Sequence, residues 1–467
     1  MRIVFLTVVL IVVGGIHGYL WWRLVASTTR SRGKRLWGAA ALLGLVVLVV
    51  GTLRTPPFVP EPIAIVVDLI GYFWIAVMFY LFLTLLVLEP LRPVFRRLLR
   101  LRHARATTTT ARTETARTET ARTTVGAGGT GGSGLAAGSP DTAGATDPGE
   151  PTGWDPDTGT PAATVLVREP ERPTNTSQVD QSRRLFVSRG LALAAGAVAV
   201  GTVGYGTVEA TRIAVNRVSV TLPRLAPALD GFRFALLADV HISRTARQSL
   251  VADVVGMINA LDVGAVAIVG DLVDGTVEEI GGRAEPLRDL RSRHGTFFVT
   301  GNHEYYSGVR EWTEFLPTLG ITVLRNERVR VAQNGAAFDL AGIDDRTAAA
   351  SGEPGHGADL DAARDGRERD RPVVLLAHQP VMWPGAVDRD VDLQLSGHTH
   401  GGQLWPFGYL VPLDQPVVKG LDRAGDSQIY VTRGVGTWGP PVRVANPPEI
   451  TLLELRSPAE GGTHPEG

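Results

Sequence analysis

Five short stretches in the second half of the chain hold residue types that bind divalent cations. They are Asp239-Val240-His241, Gly270-Asp271-Leu272-Val273-Asp274, Gly301-Asn302-His303-Glu304, His378-Gln379-Pro380 and Gly397-His398-Thr399-His400. A carboxylate can bridge two cations, neutral imidazoles suit Mn, Fe and Zn, and an amide oxygen adds a ligand without adding negative charge. Gathered at one edge of a sheet, such donors compose a hydrolytic centre with two metals. Singly the stretches say little: an Asp-x-His or Gly-Asp pair is commonly a turn, and Gly-Asn-His-Glu can simply supply a positive φ. Two imidazoles as close as His398 and His400 are harder to explain without a shared task. The ordered set is harder still, since it holds His241, His303, His378, His398 and His400 out of 10 histidines in all. Asp274 and Glu304 keep a competing reading as ordinary turn residues, and His294 and His356 read as surface residues.

Each stretch stands at the end of an apolar, β-branched run. Residues 232–238, 263–269, 296–300, 373–377 and 391–395 read as strands leading to Asp239, Asp271, Asn302, His378 and His398. Residues 248–261 have helical spacing in Leu250, Val254, Val255, Ile258 and Leu261. Nearly continuous apolar strands are buried on both faces, as in α/β folds, whose ligands collect where the strands end. Strands at 428–432 and 449–455 complete a large core. Gly434-Val435-Gly436-Thr437-Trp438-Gly439 matches a dinucleotide fingerprint, but Pro440-Pro441 disfavours the helix that must follow. It reads better as a loop approaching the metal site. Residues 348–370, rich in small and charged types, read as an exposed excursion.

The series resembles that of the calcineurin-like metallophosphoesterases. Gly397-His398-Thr399-His400-Gly401-Gly402-Gln403, with Arg433 to Gly439 and Pro447-Pro448-Glu449-Ile450, is similar to the bacterial membrane-associated branch of that superfamily. The resemblance covers residues 213–456. It implies an α/β fold, a two-sheet β-sandwich flanked by helices. It implies that Asp239, His241 and His400 bind one divalent metal, that Asn302, His378 and His398 bind a second, and that Asp271 bridges them. His303 would stabilise the transition state or protonate the leaving oxygen, and Asp274 would orient His303. The implied reaction is phosphoester hydrolysis by a hydroxide activated by two metals, without a covalent enzyme intermediate. Mn, Fe and Zn all remain open.

The rest of the chain is of another kind. Residues 3–20, 36–53 and 69–88 are apolar runs, each near the roughly 20 residues that cross a bilayer core. Basic residues crowd the loop at 23–35 and the segment at 92–102, while 52–62 holds only Arg54. The positive-inside rule therefore puts the N-terminus outside and the segment after residue 88 in the cytoplasm. Residues 101–181, with the polar repeat at 111–120, are too poor in apolar side chains to fold and read as a linker. Arg183-Arg184-Leu185-Phe186 and the apolar run at 190–208 resemble a twin-arginine export signal, or else a plain fourth span. Val208-Glu209-Ala210 is a weak candidate for cleavage. Both readings place the domain at 212–458 outside the plasma membrane; residues 459–467 form a tail.

Lys plus Arg number 46 against 47 Asp plus Glu, so no net charge points to nucleic acid. The absence of cysteine excludes disulfides and thiol catalysis. The expected partners are a membrane and a phosphoester, lipid-linked or from the cell envelope. A lipid-linked nucleotide or pyrophosphate is the alternative substrate. A different class, a metal-containing sensor or binding domain on a transporter-like module, is disfavoured because His17 and Asp68 stand isolated in the spans.

Overall fold

The computed structural model describes residues 2–53, 59–95, 97–98, 101, 176–353 and 357–458. The repeat at 111–120, most of the expected linker, His356 and the tail lie outside the described residues. The chain divides into two units, residues 1–87 with 191–467 and residues 88–190.

The apolar runs fold as helices: α1 (Arg2–Leu20), α2 (Arg32–Leu53), α3 (Glu61–Leu88) and α4 (Thr176–Glu209). Among the described residues α2, α3 and the 181–209 part of α4 are long and apolar enough to cross a membrane. Neither His17 nor Asp68, both within these apolar helices, is isolated, contrary to expectation. His17 of α1 accepts the indole N–H of Trp74 of α3 at 3.0 Å. Asp68 of α3 is buried and takes the guanidinium of Arg244 at 2.7 Å. A charge in an apolar helix is costly unless paired, and here the partner comes from the phosphoesterase-like half of the chain.

That half is two six-stranded sheets. The first has the order β1 (Ala214–Thr221), β12 (Glu449–Arg456), β2 (Phe232–Leu237), β3 (Ala265–Val269), β4 (Thr296–Val299) and β5 (Ile321–Val323). The second runs β10 (Gly420–Ala424), β11 (Ser427–Val431), β9 (Leu393–Ser396), β8 (Val373–Leu376), β7 (Ala336–Gly342) and β6 (Glu327–Gln333). Strands β2 to β5 are mutually parallel, as are β7, β8, β9 and β11. Parallel strands end at the same edge, so three motifs leave the first sheet together, after β2, β3 and β4, and two leave the second, after β8 and β9.

Between the sheets lies one core, with Phe234, Leu236, Ala267 and Val299 facing Phe338, Leu340, Val374 and Leu395. The outer face of the first sheet is covered by α5 (Leu250–Asn259), α6 (Val277–Ala284) and α8 (Val309–Thr318), reached after the one-turn helix α7 (Glu304–Ser307). Helix α5 turns Val251, Val254, Val255 and Ile258 inward, the stripe its spacing predicts. The excursion at 348–370 is not wholly exposed: Ala348, Leu360 and Ala363 are buried, and Leu360 and Ala363 join a third cluster on the second sheet.

Candidate metal centre

Asp239, His241 and His400 place ligand atoms within 4.8 Å of one another, and so do Asp271, His378 and His398. Asp239, His241, Asp271, His398 and His400 all have positive φ, between 49° and 71°. Left-handed backbone costs a non-glycine residue about 1–2 kcal/mol, and such strain persists where the surrounding fold over-determines it. The neighbouring glycines show what does so. A Cβ on Gly301 would lie 2.2 Å from Asp271 Oδ1, and one on Gly397 would lie 2.7 Å from Asp239 Oδ2. The ligand-bearing turns therefore touch backbone to side chain.

Hydrogen bonds fix which nitrogen His378 and His241 offer, since a carbonyl or carboxylate only accepts. His378 donates from Nδ1 to Val269 O at 2.8 Å. Its Nε2 is buried, lies 3.1 Å from Asp271 Oδ2 and has no hydrogen-bond geometry there. His241 donates from Nδ1 to Asp274 at 3.0 Å and turns Nε2 to within 3.0 Å of His400 Nε2. Asn302 Oδ1 is likewise buried without a hydrogen-bond partner. A buried acceptor left unpaired costs about 1–3 kcal/mol. Orphaned atoms of this kind, together with carboxylate, amide and imidazole donors, fit divalent cations.

The electrostatics agree. Burial, then the charge of His378, hold the His398 imidazole down to about 3. Burial, then His241 and Arg443, hold His400 well below the usual range. Both rings are thus neutral, as ligation requires. Burial pushes the Asp239 carboxyl up to about 6. Asp271 is held well below the carboxylate range because His378 and His303 outweigh its burial.

His303 sits beside these groups. Its Nδ1 meets Asp274 Oδ1 at 2.5 Å, its Nε2 is 3.9 Å from Asp271 Oδ2, and its ring crosses that of His241 with centroids 4.7 Å apart. Burial would lower its affinity for a proton, but Asp271 and then Asp274 outweigh it and raise it to about 9. The Asp274 carboxylate accordingly holds His303 and His241 at once.

Three more side chains matter here: Glu304, whose motif left it open as a turn residue, and Arg443 and Asp345, which no motif singled out. Glu304 is fully buried and accepts backbone N–H groups of Asp271, Leu272, Val273 and Gly301, at 2.6 to 3.3 Å. It stitches the turns after β3 and β4, and its place directly after His303 was the available signal. Arg443 is fully buried. It donates to the carbonyls of Gly436 and Arg433, and its Nη2 lies 3.2 Å from His400 Nδ1. Asp345 accepts both contacts of the Gln379 amide, beside His378. A lone arginine after two prolines and an acid beyond β7 carry no periodicity that marks them. The glycine-rich stretch at 434–439 packs on Asp239, with Gly436 N donating to Asp239 O at 2.8 Å, and leads into no helix.

A cavity of about 920 Å3 runs from His241 and Asp274 to α3, where Asp68 and Tyr72 line it. The exposed rings of Tyr306 and Trp438 stand near His303, with centroids 5.5 and 6.4 Å away.

Known proteins resemble this part of the chain. Residues 232–402 match the family model for calcineurin-like phosphoesterase. A transmembrane protein with metallophosphoesterase domain from Danio rerio is 40% identical over 51% of this chain and 56% of its own length. The chain thus spans little more than half of that relative. The uncharacterized metallophosphoesterase YkuE from Bacillus subtilis is 30% identical over 59% of this chain and 98% of its own length. One from Aquifex aeolicus is 33% identical over 47% of this chain and 83% of its own length. With two sheets, five strand-end motifs and full-length likeness to such relatives, the chain belongs to the calcineurin-like metallophosphoesterase family.

Proposed function

We propose that this protein is a metal-dependent phosphoesterase anchored in the plasma membrane with its phosphoesterase domain, residues 212–458, facing outward. The observation that carries the reading is the Asp274 carboxylate, which joins His241 of one ligand group to His303, an imidazole outside both groups. A site that only bound metal would have no use for a second, carboxylate-held imidazole at its rim.

Asp239, His241 and His400 are assigned to one divalent ion, Asn302, His378 and His398 to another, and Asp271 to both. When bound, two such ions act as Lewis acids on the phosphoryl oxygens and promote ionisation of the attacking water. Mn, Fe and Zn all suit these donors. The chain's own residues do the rest. Asp274 holds His303 Nδ1, so that Nε2 presents a proton toward the site. As the ester P–O bond breaks, that proton passes to the leaving oxygen, while the water oxygen forms the new bond to phosphorus. His303 then regains a proton from solvent, to which it is partly open. The organic group departs toward the cavity that leads to α3, which favours a substrate borne by the membrane, such as a lipid-linked or cell-envelope phosphoester. The flat rings of Tyr306 and Trp438 beside His303 favour a second reading, hydrolysis of a lipid-linked nucleotide or pyrophosphate, whose base could stack there.

Orientation rests on the basic loops and on two contacts. The N-terminal part of α3 meets the domain at Arg244, and the C-terminal turn of α4 meets it where Arg443 N donates to Gly206 O at 2.9 Å. Those two ends share a side in the topology with the N-terminus outside. Arg183 and Arg184 lie within α4, where they serve either as an export signal or as a cytoplasmic flank.

The test is hydrolysis of generic and lipid phosphoesters by the full chain loaded with Mn, Fe or Zn. Metal-replete protein inert on all of them, with His303→Ala binding phosphoesters as tightly as wild type, would replace catalysis with ligand binding. Protease applied to intact cells reports orientation, and a protected domain refutes the outward one.

A further inference from the structure

The segment Leu404–Leu413 has no charged residue and leaves Trp405, Phe407, Tyr409, Leu410 and Leu413 exposed, with Tyr409 at 77% and Leu413 at 86%. A contiguous apolar patch of this kind marks an interaction surface. We infer that Trp405–Leu413 is immersed in the phospholipid bilayer alongside α3. The inference rests on the reading of α3 as a membrane span.

Two observations select lipid as the occupant. The first is position. Tyr80 donates its hydroxyl to Trp405 O at 2.9 Å, and Tyr80 lies within residues 69–88 of α3, a stretch without a charge. The domain also meets α3 at Asp68, twelve residues earlier, through Arg244. At about 1.5 Å per residue these contacts are some 18 Å apart along the helix. The flank carrying Trp405 is therefore laid along the span and not merely against its end.

The second is the backbone. In hydrocarbon every N–H and C=O must find a partner within the protein. Here Phe407 N donates to Leu404 O, Tyr409 N to Pro406 O, Leu410 N to Phe407 O and Leu413 N to Leu410 O, while Trp405 N donates to Val444 O. Consecutive tight turns thus pair these five amides within the protein and show apolar side chains outward.

Because the chain has no cysteine, one introduced thiol is a unique labelling site. Nitroxides at Tyr409→Cys and Leu413→Cys in the full chain, reconstituted in phosphatidylcholine–phosphatidylglycerol vesicles, are compared for collision with oxygen and with a water-soluble nickel chelate. Leu86→Cys on α3 is the lipid reference. Glu368→Cys, 80% exposed just before β8, is the aqueous one. Both loop labels are expected to match Leu86, with an oxygen-to-nickel ratio several-fold above that at Glu368. A ratio matching Glu368 overturns the proposal, because the loop is then in water. Shielding from both reagents overturns it too, because a protein surface or second copy then covers the loop. If Leu86 itself reads as aqueous, the membrane reading of α3 fails together with the proposal.

Discussion

His303 and His241 hang on the same carboxylate, and their substitutions should separate what that carboxylate does for each. His303→Ala is expected to lower kcat by about 10²–10⁴, the usual worth of a positioned acid, with metal content by mass spectrometry unchanged. Asp274→Asn is expected to do both kinds of damage, lowering kcat and weakening metal binding by about 10–100-fold. A metal titration followed by activity tells the two variants apart; equal metal affinity in both would remove Asp274 from the ligand set's support. Metal removal should also show in stability. At a hundredfold excess over Kd, one bound ion adds about 2.7 kcal/mol, and about 1 kcal/mol moves Tm by roughly 2–4 °C in a domain of this size. The metal-replete protein should therefore melt several degrees above the chelated one, and Asp239→Ala should shrink that gap.

Glycines separate at the level of turns and helices. Gly256 lies in α5 with nothing within 4 Å of where a Cβ would be, whereas the same atom on Gly301 would meet Asp271 Oδ1 at 2.2 Å. Gly256→Ala should add roughly 0.5–1 kcal/mol in denaturant unfolding. Gly301→Ala should cost about 1–3 kcal/mol, the usual range for overpacking, and weaken metal binding with it. The same contrast explains what could be read in advance. Strands β2, β3, β4 and β8 were visible because both of their faces are apolar, and each delivers its motif within two or three residues of its end. Strands β6 and β10 lie at sheet edges, where exposed polar residues such as Glu327, Arg330 and Asp422 interrupt the continuous apolar run that marks the central strands. Arg443 escaped notice because its burial depends on carbonyls drawn from a remote turn. Asp68 escaped because its partner lies 176 residues away.

The Asp68–Arg244 pair joins the apolar helix α3 to the loop directly after His241. In a double-mutant cycle with Asp68→Asn and Arg244→Gln, full-chain stability in detergent should show a coupling of about 0.5–3 kcal/mol, the range for contacting residues. Additive losses would mean that the pair contributes nothing across this junction. A second connection is shorter still, since Arg443 takes the Gly206 carbonyl on its backbone N–H and reaches His400 with its side chain. Strand β1 begins at Ala214, so a peptidase cutting after Ala210 would leave both sheets whole. It would, however, carry off Gly206 and with it the support behind Arg443. A domain cut there would lack the strut behind His400, so cleavage would itself act to switch the site off.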